Sequence, residues 1–239
     1  MLIIETGQPT PSMRRHGRFP HWIRVAAGLP ADATRVVNVE AGEALPPHRE
    51  VAGVIVTGSG AMVTERHAWS ERTADWLREG LDTRLPVFGI CYGHQLLAHA
   101  LGGEVGDNPR GREMGTALIE LHPEAREDLL FKPLPDRFAA QTTHLQTVLR
   151  PPSDASVLAR SAQDDCHAFR WRDHAWGVQF HPEFSATHMR GYVHARRDAL
   201  RGEGTCHQRL VREVKPTPHA RGILRRFVQY TRRHPHSHA

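Results

Sequence analysis

The stretch PVFGICYGHQLLA, residues 86–98, joins a short apolar run directly to a helical pattern, with a cysteine at the junction. Its first five residues have the β-branched and aromatic character of a buried strand, and the residues after the cysteine have the apolar spacing of a helix. Gly89 and Gly93 lie two residues before and two residues after Cys91. This is the glycine-x-nucleophile-x-glycine pattern of a nucleophile elbow, with cysteine in the place of serine. The stretch therefore predicts a strand, a tight turn that presents Cys91, and a helix that begins beneath its sulfur.

A tight strand-to-helix turn favours nucleophilic chemistry for several reasons. The chain approaches itself so closely that only glycine fits at the two flanking positions. The helix dipole stabilises a thiolate at the helix N-terminus, and the backbone N–H of Tyr92 points into the same space, where it can stabilise an oxyanion. A small buried thiol in a packed crossover is the ordinary alternative. Strand, glycines and helix coincide only at Cys91, whereas Cys166 and Cys206 lack such surroundings.

Outside the elbow, short apolar runs alternate with longer amphipathic segments. Strands are predicted at Leu2–Glu5, Arg35–Val39, Gly53–Thr57 and Pro86–Ile90, and helices at Phe19–Leu29, Ala68–Thr83 and Gly93–Leu101. Continuous apolar strands separated by helices are typical of a parallel sheet that is covered on both faces. The first half of the chain therefore predicts an α/β fold with a parallel central sheet.

After residue 110 the predicted strands follow one another with short polar breaks, which indicates antiparallel additions. They are Thr116–Leu121, Phe138–Gln141, Val157–Arg160, Ala168–Trp171 and Ala175–Phe180. Helices are predicted at Ser185–Leu200 and Ala220–Arg233, with an irregular polar segment over Gly202–Pro218 between them. We expect a single domain over residues 1–239, of which residues from about 202 to 239 form a polar loop and a basic C-terminal helix and tail.

Composition excludes several classes of protein. The 239 residues are 39% hydrophobic, and no run approaches the roughly 18 apolar residues of a membrane span. The N-terminus has no basic segment before an apolar core, so no signal peptide is predicted and a cytoplasmic location is expected. Three cysteines do not suggest a disulfide framework.

The net charge of +5 raises the question of nucleic-acid binding. The basic residues are mostly scattered, with their densest cluster over residues 225–234, and no basic motif interleaved with aromatic residues stands out along the chain. A solvated basic surface is therefore expected, with no nucleic acid and no membrane as partner. The histidines of residues 234–238 are expected to belong to a frayed terminus rather than a metal site.

A second segment, AWGVQFHPEF, residues 175–184, supplies a candidate base. Pro182 ends its strand pattern because proline has no N–H for the ladder. Residues two apart in extended chain face the same way, so His181 and Glu183 are predicted to project together. The carboxylate can then hold one ring nitrogen, while the other takes the thiol proton. Carboxyl ends of parallel strands meet at one edge of a sheet, so we expect His181 to lie near Cys91.

Two further features are less specific. The loop Thr57–Ala61 follows an apolar strand and contains small residues, so its backbone N–H groups can approach a ligand. A plain strand-to-helix turn is the alternative, and a phosphate loop is excluded because no Gly-Lys-Ser/Thr follows. His144 is a rival base, ranked below His181 because its neighbours in the sequence, residues 142–146, include no carboxylate.

Together these segments resemble class I glutamine amidotransferases of the triad type, and most of all the stand-alone proteins similar to the amidotransferase domain of GMP synthase. The resemblance runs from about residue 40 to about residue 195. It rests on the elbow of residues 89–95, on the order of cysteine and His-Pro-Glu, and on Gly111–Gly115. The resemblance implies a flavodoxin-like three-layer sandwich, with a mainly parallel central sheet and a small antiparallel addition.

The resemblance also implies an activity: hydrolysis of the glutamine side-chain amide to glutamate and ammonia through a thioester on Cys91. It implies no metal and no organic cofactor. By the same resemblance, His181 is the base, Glu183 orients it, and Ser59 and Tyr92 donate hydrogen bonds to the oxyanion. The residues implied in glutamine binding are Gly58, Gln95, Thr143 and Gln146.

The chain departs from the family pattern at several points. It has His144-Leu145-Gln146 where the family often has His-Gly-Asp, and Gly58-Ser59-Gly60 in place of Gly-Gly-Pro. No acceptor domain follows, so any ammonia transfer is expected to use a separate synthase. Two alternatives are a free-standing γ-glutamyl hydrolase with the same triad, and a non-catalytic regulatory module, which the complete triad disfavours.

Overall fold

The computed structural model describes residues 1–234 of the chain. Its strands are β1 (Leu2–Glu5), β2 (Arg35–Asn38), β3 (Val54–Val56), β4 (Val87–Ile90), β5 (Glu104–Asp107), β6 (Glu113–Leu121), β7 (Arg137–His144), β8 (Gln146–Arg150), β9 (Ala155–Arg160), β10 (Ala168–Trp171) and β11 (Ala175–Val178). Its α-helices are α1 (Phe19–Ala27), α2 (Ala68–Asp82), α3 (Tyr92–Ala100), α4 (Ala186–Ala195), α5 (Arg197–Gly202), α6 (His207–Glu213) and α7 (Pro218–Arg233). None of these described helices has the length and apolarity to cross a bilayer. The expected tail over residues 235–239 lies outside the described residues.

Nine strands form one sheet, in the order β2, β1, β3, β4, β11, β10, β9, β6, β7. The first five of these strands are parallel to one another. The other four continue the sheet in antiparallel fashion, and β5 pairs with β8 in a separate antiparallel sheet. The predicted α/β class, with a parallel centre and antiparallel additions, is confirmed.

Helices cover both faces of the parallel strands. Ile3 and Phe88 belong to the core beneath α1 and α7, whereas their chain neighbours Leu2 and Val87 belong to the core beneath α2 and α3. Successive strand residues point to opposite faces, so strands covered on both sides must be apolar throughout. This three-layer arrangement explains why the strands of the first half read as unbroken apolar runs.

Two expectations for the C-terminal third are wrong. The helix expected over Ser185–Leu200 is interrupted at Arg196, which ends α4 and precedes α5 with φ −100° and ψ 10°. The segment expected to be irregular contains α6, which packs against α4 and β6. Leu210 and Val211 of α6 pack against a small core on α4. Such tertiary burial, rather than local propensity, stabilises a helix this short.

Candidate active site

Cys91 is the single residue between β4 and α3. Its φ of +52° and ψ of −101° lie in a region that non-glycine residues rarely adopt, at a cost of about 1–3 kcal/mol. The backbone N–H of Cys91 donates to the carbonyl of Val178 at 2.8 Å, which ties the bend to β11. The side chain is 7% exposed. The sulfur is therefore held at a strained, nearly enclosed bend.

The two elbow glycines lie at points of close backbone contact. A Cβ on Gly89 would lie 2.3 Å from the carbonyl oxygen of Gly93. A Cβ on Gly93 would lie 2.6 Å from the carbonyl oxygen of Val56. Neither distance is tolerable for a carbon atom against backbone, so both positions require glycine for the reason that the elbow pattern indicates.

His181 and Glu183 lie together just beyond β11. Nδ1 of His181 donates to Oε1 of Glu183 at 2.8 Å, and both residues are buried. A Cβ on Gly58 would lie 3.0 Å from Cε1 of His181 and 3.8 Å from Cβ of Cys91. Because a single Cβ added at Gly58 would contact both side chains, the imidazole of His181 and the side chain of Cys91 lie close together. Nε2 of His181 is buried and makes no hydrogen bond, so it is the ring nitrogen that is free to exchange a proton with the thiol.

The surroundings of His181 favour its charged form. Burial lowers the pKa of His181, but the charges of Glu183 and Cys91 outweigh burial and raise the pKa to about 10. The imidazolium thus lies between a carboxylate and the sulfur. Gln179 Nε2 donates a hydrogen bond to Sγ of Cys91 at 3.5 Å, which stabilises negative charge on the sulfur.

The loop after β3 is held in place by hydrogen bonds to the residue that follows β1. Oγ1 of Thr6 donates to the carbonyls of Thr57, at 3.0 Å, and Gly58, at 3.2 Å. Ser59 then lines a cavity beside the elbow. Tyr92 lines the same cavity, while its hydroxyl is hydrogen-bonded to Ser70 at 2.6 Å. The phenol is therefore occupied elsewhere, and only the backbone N–H of Tyr92 remains for a ligand.

Two adjoining cavities open at the Cys91–His181 pair. The smaller cavity, of about 50 Å³, is called the thiol cavity. Its wall includes Cys91, Tyr92, Gln95, Thr143 and Gln146. The larger, of about 350 Å³, is called the imidazole cavity, and its wall includes Thr10, Arg14, His181, Tyr192 and Arg196. The structure thus places Gln95, Thr143 and Gln146 around the same cavity as Cys91.

Gln179 is a member of the site that the sequence patterns above do not single out. It is fully buried, donates to the sulfur, and accepts a hydrogen bond from Gln95 Nε2 at 2.9 Å. Gln179 precedes His181 by two residues, so the period-two argument that pairs His181 with Glu183 could have found it.

His144 has a carboxylate partner, which comes from a distant strand and not from its neighbours in the sequence. Its Nε2 lies 2.9 Å from Oε2 of Glu113, a residue of β6. Its Nδ1 lies 3.0 Å from the carbonyl of Gln146. Both ring nitrogens therefore have oxygen partners, and neither is free to take a proton from the thiol.

Glu113 links two buried imidazoles. Its Oε2 also accepts from Nε2 of His167 at 2.7 Å, and its Oε1 accepts from Ser161 at 2.6 Å. The ligand atoms of Glu113, His144 and His167 lie within 4.8 Å of one another, so these three residues could hold a metal ion. Burial raises the pKa of Glu113, but the hydrogen bonds from both histidines outweigh burial and hold that pKa far below its usual range. The carboxylate is therefore an anion between two imidazole rings.

Glu113→Gln is expected to destabilise the fold by about 3 kcal/mol, because it removes one partner from a buried charge network. Since the pKa of Glu113 is depressed, its stabilisation is present above the unfolded value of about 4.3 and is lost as pH falls through lower values. Urea unfolding at pH 7 measures the loss. Glu120→Gln is the control on the same strand, where the carboxylate pairs with Arg160 near solvent and should contribute about 1 kcal/mol or less. Equal losses in the two variants would contradict the expectation.

Comparison with known proteins places this geometry in context. The family model described as glutamine amidotransferase class-I matches residues 30–197. The glutamine-hydrolyzing GMP synthase of Aeropyrum pernix is 40% identical over 175 residues, which cover 72% of this chain and 32% of that protein, so the chain spans about a third of its length. A protein of Methanococcus vannielii, named as one subunit of a glutamine-hydrolyzing GMP synthase, is 33% identical over 175 residues, 72% of this chain and 85% of that protein.

A solved structure shows the same architecture. The crystal structure of a glutamine amidotransferase from Thermotoga maritima superposes with a TM-score of 0.72 over 96% of this chain and 97% of that chain, at 24% identity. At that identity the likeness concerns the fold alone. It confirms the expected flavodoxin-like α/β sandwich.

Proposed function

The chain belongs to the class-I glutamine amidotransferase family, and from that premise we propose that it hydrolyses the glutamine side-chain amide through Cys91, His181 and Glu183. One observation carries the proposal. The strained elbow holds Cys91 close to an imidazole that a buried carboxylate orients, since a single Cβ added at Gly58 would contact both side chains. A nucleophile beside a base that a third group orients is the signature of covalent catalysis.

In the first step, Sγ of Cys91 attacks the amide carbon and the carbonyl oxygen becomes an oxyanion. The backbone N–H groups of Ser59 and Tyr92 are the proposed donors to that oxyanion. Tyr92 is the first residue of α3, where a helix N–H has no intrahelical acceptor. A preorganised donor of this kind is worth about 2.7–4 kcal/mol in the transition state.

In the second step, the imidazolium of His181 gives its proton to the departing nitrogen and ammonia leaves. The neutral ring then takes a proton from water, which attacks the thioester and releases glutamate. Glu183 keeps Nδ1 protonated throughout and directs Nε2 at the reacting atoms. The raised pKa of His181 suits this cycle because the proton is already on the ring when the substrate arrives.

The amino-acid end of glutamine is proposed to bind between Gln95 and Gln146. Nε2 of Gln95 donates to the carbonyl of Gln146 at 2.7 Å and to Gln179, so its free group is Oε1. Oε1 of Gln146 is buried and has no hydrogen-bond partner. Two amide oxygens are suited to an α-ammonium group. The backbone of Thr143, whose carbonyl oxygen lies 3.8 Å from Sγ, and Gly58 complete the proposed pocket.

The proposed destination of the ammonia is a separate synthase. The Methanococcus relative is named as one subunit of GMP synthase, and the present chain is similar to that protein over most of its length. A γ-glutamyl hydrolase with the same triad is the second candidate, and the volume of the imidazole cavity favours it. Glutamate release from glutamine by the purified chain, with and without a candidate synthase, tests the first candidate. Release that no triad substitution reduces would refute both.

Glu183→Gln is expected to lower kcat by about 10²–10⁴-fold, because a neutral amide can neither fix the productive ring tautomer nor stabilise the imidazolium. The change also has a pH signature. Since the pKa of His181 is raised to about 10, the stabilisation from its charge is present below the unfolded value of about 6.5 and is lost as pH rises through 10.

Unfolding free energies from pH 6 to 10.5 measure this dependence in the parent protein and in Glu183→Gln. The variant should be less stable at pH 6, and the difference should shrink toward high pH. Glu120→Gln serves as the control, because its carboxylate is remote from His181 and pairs with arginines. A difference that stays constant with pH would contradict the assigned charge state.

A further inference from the structure

The two cavities contact different members of the Cys91–His181 pair. The thiol cavity contacts Cys91 and the imidazole cavity contacts His181. The residues that line both cavities are Ser59, Gly60, Thr143 and Arg196. In the proposed mechanism the acyl group bonds to the sulfur, and the leaving nitrogen takes its proton from the imidazole. The γ-glutamyl part of a substrate therefore belongs in the thiol cavity, and the leaving amine belongs in the imidazole cavity.

The space on the leaving-group side exceeds what glutamine needs. Ammonia is about the size of a water molecule, which occupies about 30 Å³ in the liquid. The imidazole cavity measures about 350 Å³, within the usual range of about 300–1,000 Å³ for sites that hold small organic molecules. A leaving amine with several additional atoms would fill it.

The wall of the imidazole cavity is cationic. Arg14 and Arg196 both line it, and its lining residues include no aspartate or glutamate. Nε of Arg14 donates to the carbonyl of Pro9 at 3.1 Å, so this hydrogen bond does not use the two terminal nitrogens of the guanidinium. Over residues 1–234, neither arginine forms an ion pair with a carboxylate. Arginines that face a cavity without a counter-ion are suited to bind an anion.

Two residues of this wall each have a buried polar atom without a partner. Nε of Arg196 and Oγ1 of Thr10 are buried, and neither makes a hydrogen bond in the described part of the chain. Buried polar groups are rarely left unpaired in native proteins, so each of these atoms needs a partner that the described part of the chain does not supply. The guanidinium Nε can only donate and the hydroxyl can donate, so the partner that each of them lacks is an acceptor, the class of atom that a carboxylate offers.

From these observations we propose that the imidazole cavity binds a carboxylate carried by the leaving amine, so that the preferred substrates are γ-glutamyl amides of amino acids. This inference rests on the proposed function of the triad. The amide C–N bond breaks as the C–S bond forms, and the leaving nitrogen takes the proton of His181. Water then replaces the sulfur, so each turnover consumes one water and yields glutamate and a free amino acid.

Isothermal titration of the Cys91→Ala protein tests the carboxylate subsite without turnover. The ligands are γ-glutamylglycine, which carries the additional carboxylate, and γ-glutamylethylamide, which has a leaving amine of similar size without charge. We expect γ-glutamylglycine to bind at least tenfold more tightly, and the ratio of the two dissociation constants to fall as salt is raised. Adding Arg14→Met and Arg196→Met together should bring the ratio close to one.

The neighbouring arginines provide matched controls. Arg15 and Arg197 are exposed and lie outside both cavities, so Arg15→Met with Arg197→Met should preserve the ratio. Thermal unfolding of each protein checks that the fold is intact. Equal binding of the two ligands, no binding of either at millimolar concentration, or a preference that survives removal of Arg14 and Arg196 would overturn the inference.

Turnover by the parent protein separates this inference from the function on which it rests. Hydrolysis of glutamine that requires Cys91, together with equal binding of the two ligands, would refute the carboxylate subsite alone. Glutamate release that persists in Cys91→Ala would refute the proposed function, whatever the binding ratio. With both proposals correct, kcat/KM for γ-glutamylglycine should exceed that for γ-glutamylethylamide by at least tenfold.

Discussion

Cys91→Ala is expected to reduce glutamate release from glutamine by about 10⁴-fold or more, because the covalent route disappears with its sulfur. The replacement is smaller than cysteine and removes a side chain that is only 7% exposed, so it introduces no steric conflict. Glutamate formation measured with saturating glutamine gives the rate. A chloroketone analogue of glutamine provides a second measurement, since mass spectrometry should find one adduct in the parent protein and none in Cys91→Ala.

The other two cysteines are the controls for this prediction. Cys206 is exposed, and Cys166 is buried, where burial raises the pKa of its thiol well above the usual range. Neither lines the thiol cavity or the imidazole cavity. Cys166→Ala and Cys206→Ala should therefore retain activity within about twofold and keep the adduct. Unreduced glutamate release by Cys91→Ala, or an adduct on either of the other cysteines, would refute the proposed mechanism.

The parts of the candidate site that could be predicted from sequence are those specified within a few residues. The elbow needs a strand, two glycines and a helix in one stretch, so all the residues that determine it are close to Cys91 in the sequence. His181 and Glu183 are two residues apart at a strand end, and extended geometry alone puts them on one side. Gln179 is placed on the same side by the same periodicity. Its side chain is a neutral amide, so the pairing of charged groups that singles out Glu183 does not indicate it.

Other features depend on pairing between distant segments, which a single sequence does not reveal. Glu113 reaches His144 across neighbouring antiparallel strands, with Glu113 registered opposite His144, and β5 pairs with β8 more than thirty residues later. The helices α4 and α6 likewise pack against β6 and against each other. These contacts join segments that are distant in the sequence, so the break at Arg196 and the presence of α6 were not predicted. That the whole chain forms one domain stays a prediction.

Gly89→Ala is expected to destabilise the fold by about 3 kcal/mol and to abolish activity. The new Cβ would lie 2.3 Å from the carbonyl oxygen of Gly93, 2.5 Å from its carbonyl carbon and 2.8 Å from the backbone nitrogen of His94. All three atoms are backbone in the first turn of α3, so no side chain can rotate away and α3 itself must move off β4. Overpacking of this kind typically costs about 1–3 kcal/mol and occasionally more. The same displacement would carry the sulfur of Cys91 away from His181.

Thermal unfolding and glutamate release together test this prediction. For a chain of this size, 3 kcal/mol corresponds to a fall in Tm of about 6–12 °C. Gly202→Ala is the matched control, because a Cβ there meets nothing within 4 Å and its φ is not in the left-handed region. Gly202 ends α5, where alanine favours the helix, so that variant should keep or slightly raise Tm. If Gly89→Ala unfolds at the same temperature as Gly202→Ala, the close contact between β4 and α3 is not what specifies glycine at the elbow.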